Sequence, residues 1–279
     1  MTSVAPTSLV KFPPMDFPFD ILDHIFGFLI TDPASLVACS EAHPVFSRMV
    51  EKYRYHCLTI DPESSGLLTK LLLDKPRIAN YVRVLRIEGE RYPLFSVRTA
   101  YFDSIAAILP LFPVLRCIVL SYGGMMSWKQ DLPQGFRKAV EDCFRLPTLR
   151  ELHIDRYISN FPVSMLDNHA NIDCFSLCGT PEVSEVADTT YPQLKLLSVT
   201  GFYAQRHHIS FGAWAKPRIT RLQSLKYDYS SDETLLELLE ICSDTLTTLD
   251  LTLGDEVDFR CESSVHFRSH FFYFYRITC

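Results

Sequence analysis

A short apolar pattern recurs after residue 75 and constrains the fold more than any other feature of the sequence. The pattern reads apolar-x-x-apolar-x-apolar, and its copies begin at Val82, Leu115, Leu149, Ile172, Leu194, Leu222 and Leu246. Successive copies are separated by 22 to 34 residues, which leaves room for a strand, a loop and a helix in each unit. Self-similarity at this period predicts a solenoid, in which each unit completes its core only against its neighbours.

The segments between the copies predict helices on one side of the repeated strands. Apolar residues recur at helical spacing over residues 99–109 and 136–144. A third helix is expected over 233–242, with Asp232 as its N-cap. The predicted fold class is therefore α/β, an irregular solenoid with a curved parallel sheet inside and helices outside, over residues 57–254.

Strand geometry sorts the side chains of the pattern between the two faces of the sheet. Positions one, four and six are expected to point into the core, and positions three and five to the concave face. The residues that we expect to contact a target protein there are Arg86, Val119, Glu151, His153, Ser176, Ser198, Lys226 and Asp250. This mixed surface fits a protein better than a nucleic-acid backbone. The alternative is a sheet face that is merely solvated.

Residues 17–46 predict a separate block of short helices. Pro18 suits a first helical turn, and Ile21, Leu22, Ile25, Phe26 and Leu29 follow at helical spacing. Asp32-Pro33 predicts an N-cap and first-turn proline for a second helix, and His43-Pro44 opens a third. The block carries more apolar residues than so small a unit can bury alone.

The spacing in this block resembles the F-box. Phe17-Pro18-Phe19-Asp20-Ile21-Leu22, Ile25-Phe26, Leu29, Asp32-Pro33, Leu36, Cys39-Ser40 and Phe46 stand in the order of that motif. Phe17 replaces the usual Leu, Asp20 the usual Glu and Phe46 the usual Trp, while Glu41 and Ala42 stand where the family prefers an apolar pair. An F-box followed by degenerate leucine-rich repeats is similar to the F-box/leucine-rich-repeat proteins of fungal type.

The resemblance implies a substrate receptor of a cullin–RING (SCF-type) ubiquitin ligase. Such a protein binds a Skp-family adaptor, and through it a cullin, by its F-box, and holds a target protein on its repeats. The expected adaptor-docking residues are Phe17, Pro18, Ile21, Leu22, Ile25, Phe26, Leu29, Leu36, Cys39 and Phe46. The alternative is an interaction scaffold outside ubiquitin ligation, with the helical block serving only as a cap on the solenoid.

Other classes of function find no support in the sequence. A net charge of −6 without a basic run disfavours nucleic-acid binding, and the apolar stretches are too broken for a membrane span. Nine scattered cysteines and no secretion signal predict reduced thiols in the cytosol or nucleus. We expect no enzyme activity and no cofactor. We also expect no metal site, since Cys261, His266, His270 and Cys279 match no zinc-finger spacing.

The predicted domain organisation has four parts. Residues 1–14 are expected to be disordered, 15–56 to form the F-box and 57–254 to form the repeat domain. Residues 255–279 are rich in Phe and Tyr and lack helical periodicity, caps and turn residues. We predict that this last segment is an atypical, aggregation-prone tail.

Overall fold

The computed structural model describes residues 18–89, 95–167, 169, 171–183, 191–200, 214–229 and 232–253. The chain divides into two compact units, Met1–Cys57 and Leu58–Cys279. This division falls next to the predicted boundary between residues 56 and 57. The predicted disordered segment 1–14 and the predicted atypical tail 255–279 lie outside the described residues.

The first unit, here called the helical unit, contains three helices among its described residues, 18–57. They are α1 (Phe19–Phe28), α2 (Pro33–Ala42) and α3 (Pro44–Arg54), with a 3-10 turn at Leu29–Thr31. Leu22, Phe26, Leu36 and Val50 form its core. Partly buried apolar side chains pack around that core: Leu29, Cys39, Phe46, Met49 and Tyr53.

Side-chain hydrogen bonds cap the N-termini of α2 and α3 and join α3 to α1. The Asp32 carboxylate accepts a hydrogen bond from the Ser35 amide at 3.1 Å, which confirms the predicted N-cap of α2. The His43 ring accepts from the Val45 amide at 3.2 Å and caps α3. Lys52 on α3 donates to Asp23 on α1 at 2.8 Å.

The second unit, here called the sheet unit, is built on a nine-stranded parallel sheet. Its strands are β1 (Cys57–Ile60), β2 (Val84–Gly89), β3 (Cys117–Tyr122), β4 (Met126–Ser127), β5 (Glu151–Pro162), β6 (Cys174–Glu182), β7 (Leu196–Thr200), β8 (Ser224–Tyr229) and β9 (Thr248–Leu253). The strands follow chain order across the sheet, except that β4 pairs with the far half of β5. The protein is therefore an α/β protein, as predicted.

Within the part of the chain that the structure describes, five helices belong to the sheet unit. They are α4 (Ser65–Asp74), α5 (Phe95–Ile108), α6 (Trp128–Asp131), α7 (Gln134–Phe144) and α8 (Asp232–Cys242). The three predicted helices correspond to α5, α7 and α8, each beginning slightly earlier than expected. None of the described helices is long and apolar enough to cross a membrane.

The repeated pattern occupies equivalent places in successive strands. Leu85 pairs with Ile118, and the same row continues through Leu152, Phe175, Leu197, Leu225 and Leu249. Position four is fully buried from Leu85 to Leu225, and positions one and six are buried over the same strands. The predicted core-facing positions are thus confirmed over β2 to β8. Leu249 and Leu251 on β9 are half-buried.

Strand β5 departs from the repeat because it runs on well past its copy of the pattern. Its register against β6 shifts twice, between Ile154 and Ile158 and between Ile158 and Phe161. Gly179 sits opposite the first shift with φ +137°, and a Cβ there would lie 2.0 Å from the Ile158 carbonyl oxygen. Glycine is therefore required at this position.

Candidate functional site

The helical unit separates the predicted adaptor-docking residues into core and surface. Leu22, Phe26 and Leu36 are 7%, 2% and 1% exposed, so they belong to the core of the unit and offer little surface for docking. Their apolar side chains hold the three helices together instead. Leu29, Cys39 and Phe46 are half-buried against the same core, and Phe46 packs edge-on against Phe26 with ring centroids 5.6 Å apart.

Other predicted docking residues remain at the surface. Pro18 is exposed and precedes α1, where its carbonyl accepts hydrogen bonds from the amides of Ile21 and Leu22. Ile21 and Ile25 are 48% and 42% exposed. Phe17 lies outside the described residues.

An exposed apolar stripe runs along α1. It consists of Ile21, Ile25 and Phe28, whose i, i+4, i+7 spacing places them on one helical face. Phe28 is 73% exposed, and its ring lies edge-on to the ring of His24 at 4.7 Å. We call these three residues the α1 stripe. Two further apolar side chains of the unit, Phe19 and Val37, are also exposed.

The predicted target-contacting residues fall almost entirely in one row of the sheet. Register aligns position five of every copy from β2 to β9, and this set is here called the cross-strand row: Arg86, Val119, His153, Ser176, Ser198, Lys226 and Asp250. Glu151 lies in the neighbouring row, on the same face. The sheet therefore brings all eight predicted residues onto one face.

Two members of the cross-strand row offer little surface. Val119 and Ser198 are 4% and 8% exposed, which corrects their prediction as target contacts. Strands lie about 4.8 Å apart, so a short side chain is shielded by the longer ones on neighbouring strands. Val119 lies between Arg86 and His153, and Ser198 lies beside Lys226.

The charges on this face pair with one another. Arg86 donates to Asp155 at 3.3 Å, and the Lys226 ammonium lies 3.7 Å from the Asp250 carboxylate. All four side chains are roughly 40–50% exposed, so these pairs are solvated. The face therefore presents alternating charges of both signs.

Metal-ligating side chains gather on the same face between β3, β5 and β6. One ligand atom each from Cys117, Glu151 and His153 lies within 4.8 Å of the other two. The His153 Nε2 is 3.4 Å from a Glu151 carboxylate oxygen and 3.9 Å from the Cys174 sulfur. Burial, reinforced by Glu151 and Asp173, raises the pKa of the Cys174 thiol to about 12.

Comparisons with protein-family models and with curated proteins find no match to this chain.

Several residues of these candidate sites were not predicted from the sequence. Phe28 continues the spacing of Ile21 and Ile25, so its helical period was the signal that could have placed it in the α1 stripe. Cys117 stands at position three of its copy, so the pattern places it on the concave face but not beside His153. Its proximity to His153 depends on the pairing of β3 and β5, which no local pattern specifies.

Proposed function

We propose that the protein is a substrate-recognition subunit of a cullin–RING ubiquitin ligase. The α1 stripe binds a Skp-family adaptor, and the exposed members of the cross-strand row hold the target protein together with Glu151. In this proposal the helical unit is an F-box and the sheet unit is an irregular leucine-rich-repeat domain. The protein acts without catalysis of its own, in the cytosol or nucleus, by raising the concentration of the target beside a ubiquitin-charged enzyme.

The observation that carries this proposal is the exposed α1 stripe. The unit has a core of its own, yet three large apolar side chains on one helical face stay outside it. A set of exposed apolar side chains on one face is typical of a protein interaction site. The stripe also includes Ile21 and Ile25, two positions of the motif that resembles the F-box.

The α1 stripe is large enough to contribute substantially to the free energy of binding. Complete burial of one such side chain stabilises a complex by about 1.5–3 kcal/mol. The three side chains together therefore supply several kcal/mol towards the cost of association, and the half-buried motif residues around them add contact area.

Ile21→Asp/Ile25→Asp tests the proposal in the full chain co-expressed with a Skp-family adaptor. Both side chains are surface-exposed, so the substitutions place charge in the interface without entering the core. Leu22 is unsuitable for this purpose because it is buried. Leu67→Asp/Leu73→Asp is the matched control, since both leucines are 73% exposed on α4.

Gel filtration of the co-expressed proteins distinguishes the outcomes. We expect the parent and the α4 control to elute with the adaptor and the α1 variant to elute without it, while circular dichroism shows the same helix content in all three. Adaptor binding that survives in the α1 variant contradicts the docking surface. A parent chain that ignores the adaptor contradicts the ligase role and favours the scaffold alternative.

A further inference from the structure

We propose that the sheet unit binds a zinc ion through Cys117, Glu151 and His153. Strand register brings these residues together. Cys117 on β3 pairs with Glu151 on β5, so two donors stand side by side on neighbouring strands. His153 follows Glu151 by two residues and therefore shares its face.

The atoms converge on the His153 Nε2. Ideal tetrahedral zinc places imidazole nitrogen and carboxylate oxygen about 3.4 Å apart, and imidazole nitrogen and thiolate sulfur about 3.6 Å apart. The distance from Nε2 to the Glu151 oxygen is 3.4 Å. The ligand atom of Cys117 lies within 4.8 Å of those of Glu151 and His153. Small rotations of these three side chains place their ligand atoms around one ion, and water takes the fourth position.

The donor set selects the class of metal. Thiolate sulfur with imidazole nitrogen favours zinc over magnesium or calcium, which prefer oxygen ligands throughout. The Cys117 thiol loses a proton to solvent on binding, and His153 binds through Nε2 with its proton on Nδ1.

The site is open to solvent on one side. The side chains of His153 and Glu151 are 25% and 48% exposed, whereas Cys117 is buried beneath them. An ion can therefore enter from the sheet face. Once bound, it ties β3 to β5 on the face proposed to hold the target, and this binding does not depend on adaptor docking.

Cobalt titration of the full chain tests the site directly. The protein is reduced, treated with a chelator and titrated with Co²⁺, which gives thiolate-to-cobalt charge-transfer absorption in a Cys-ligated site. We expect a single cobalt ion per chain, displaced by Zn²⁺, and a higher thermal midpoint with either metal. Absence of the charge-transfer band overturns the proposal.

Substitutions locate the metal. Cys117→Ser and His153→Ala are each expected to weaken cobalt binding by at least about tenfold, since loss of even an outer-shell partner costs that much. Cys178→Ser, on β6 and outside the cluster, is the matched control and is expected to bind like the parent. His153→Ala changes a half-buried residue, so it keeps the test valid if the cysteine variant misfolds.

The cysteine- and histidine-containing segment 261–279 offers a competing source of ligands. Cys261→Ser/Cys279→Ser is therefore included, and we expect it to leave cobalt binding unchanged. Loss of binding in this variant, with binding retained in His153→Ala, overturns the proposal. An unperturbed spectrum in both the Cys117 and the His153 variants does the same and leaves the Glu151–His153 contact as an ordinary polar contact of the sheet face.

Discussion

Arg218 carries a positive charge into the interior of the sheet unit. Its side chain is fully buried, donates to the Asp167 carboxylate and the Trp214 carbonyl, and lies against the rings of Tyr191 and Trp214 at 4.2 and 4.5 Å. Burial lowers the pKa of the guanidinium, while the hydrogen bond and charge of Asp167 oppose that shift. The pair joins segments that are distant in sequence.

Arg218→Met is expected to lower the free energy of unfolding by about 3–5 kcal/mol, because it leaves the mostly buried Asp167 carboxylate without its partner. Arg145→Met is the control, since Arg145 pairs with Asp142 at the surface, where the loss stays below about 1 kcal/mol. Urea denaturation of the two variants gives both values. Equal losses would show that the buried pair contributes no more than a solvated one.

At the scale of elements, Asp32 links the stability of α2 to pH. Hydrogen bonds from the Ser35 hydroxyl at 2.6 Å and then from the Ser35 amide lower the pKa of the Asp32 carboxyl below its ordinary 3.8. A lowered pKa in the folded state means that the ionised group stabilises the fold above its ordinary pKa. That contribution is lost as the pH falls through the folded-state value.

Asp32→Asn is therefore expected to lower the thermal midpoint of the helical signal at neutral pH, and the gap to the parent is expected to close below about pH 4. Circular dichroism melts across that range measure the gap. Asp103→Asn, an exposed position on α5, controls for the loss of a surface charge. A gap for Asp32→Asn that stays constant down to acid pH would contradict the role of the ionised cap.

The elements also show which features are encoded locally. The alternation of apolar residues sufficed to predict strands, their core-facing positions and the cross-strand row, because side chains on a strand alternate between faces. Asp32-Pro33 sufficed for the start of α2, because an N-cap acts on amides within its own turn.

Features that depend on pairing were not predictable in the same way. The second half of β5 carries no copy of the pattern, and its strand conformation is supported by β4 and β6. The requirement for glycine at residue 179 arises only because the Ile158 carbonyl lies against it. On α1, apolar periodicity alone could not separate the buried Leu22 and Phe26 from the exposed Ile21 and Ile25.

At the scale of the whole molecule, the two units have distinct cores. The core of the helical unit is formed entirely by residues between 22 and 53. The core of the sheet unit is formed by the apolar rows of its strands and the helices that follow them. A substitution that opens a cavity in one core is thus expected to destabilise mainly its own unit. Substitutions without shared neighbours have nearly independent effects on the free energy of unfolding.

Leu36→Ala and Leu152→Ala test this independence, because the two leucines are 1% and 0% exposed and belong to different units. Each substitution is expected to cost about 2–5 kcal/mol within its own unit. Native-state hydrogen exchange reports local stability, so Leu36→Ala should speed exchange over residues 19–54 and leave β2 to β8 protected, while Leu152→Ala should do the reverse. Faster exchange throughout the chain in either variant would mean that the units unfold as one, and adaptor binding would then depend on the sheet as much as on the α1 stripe.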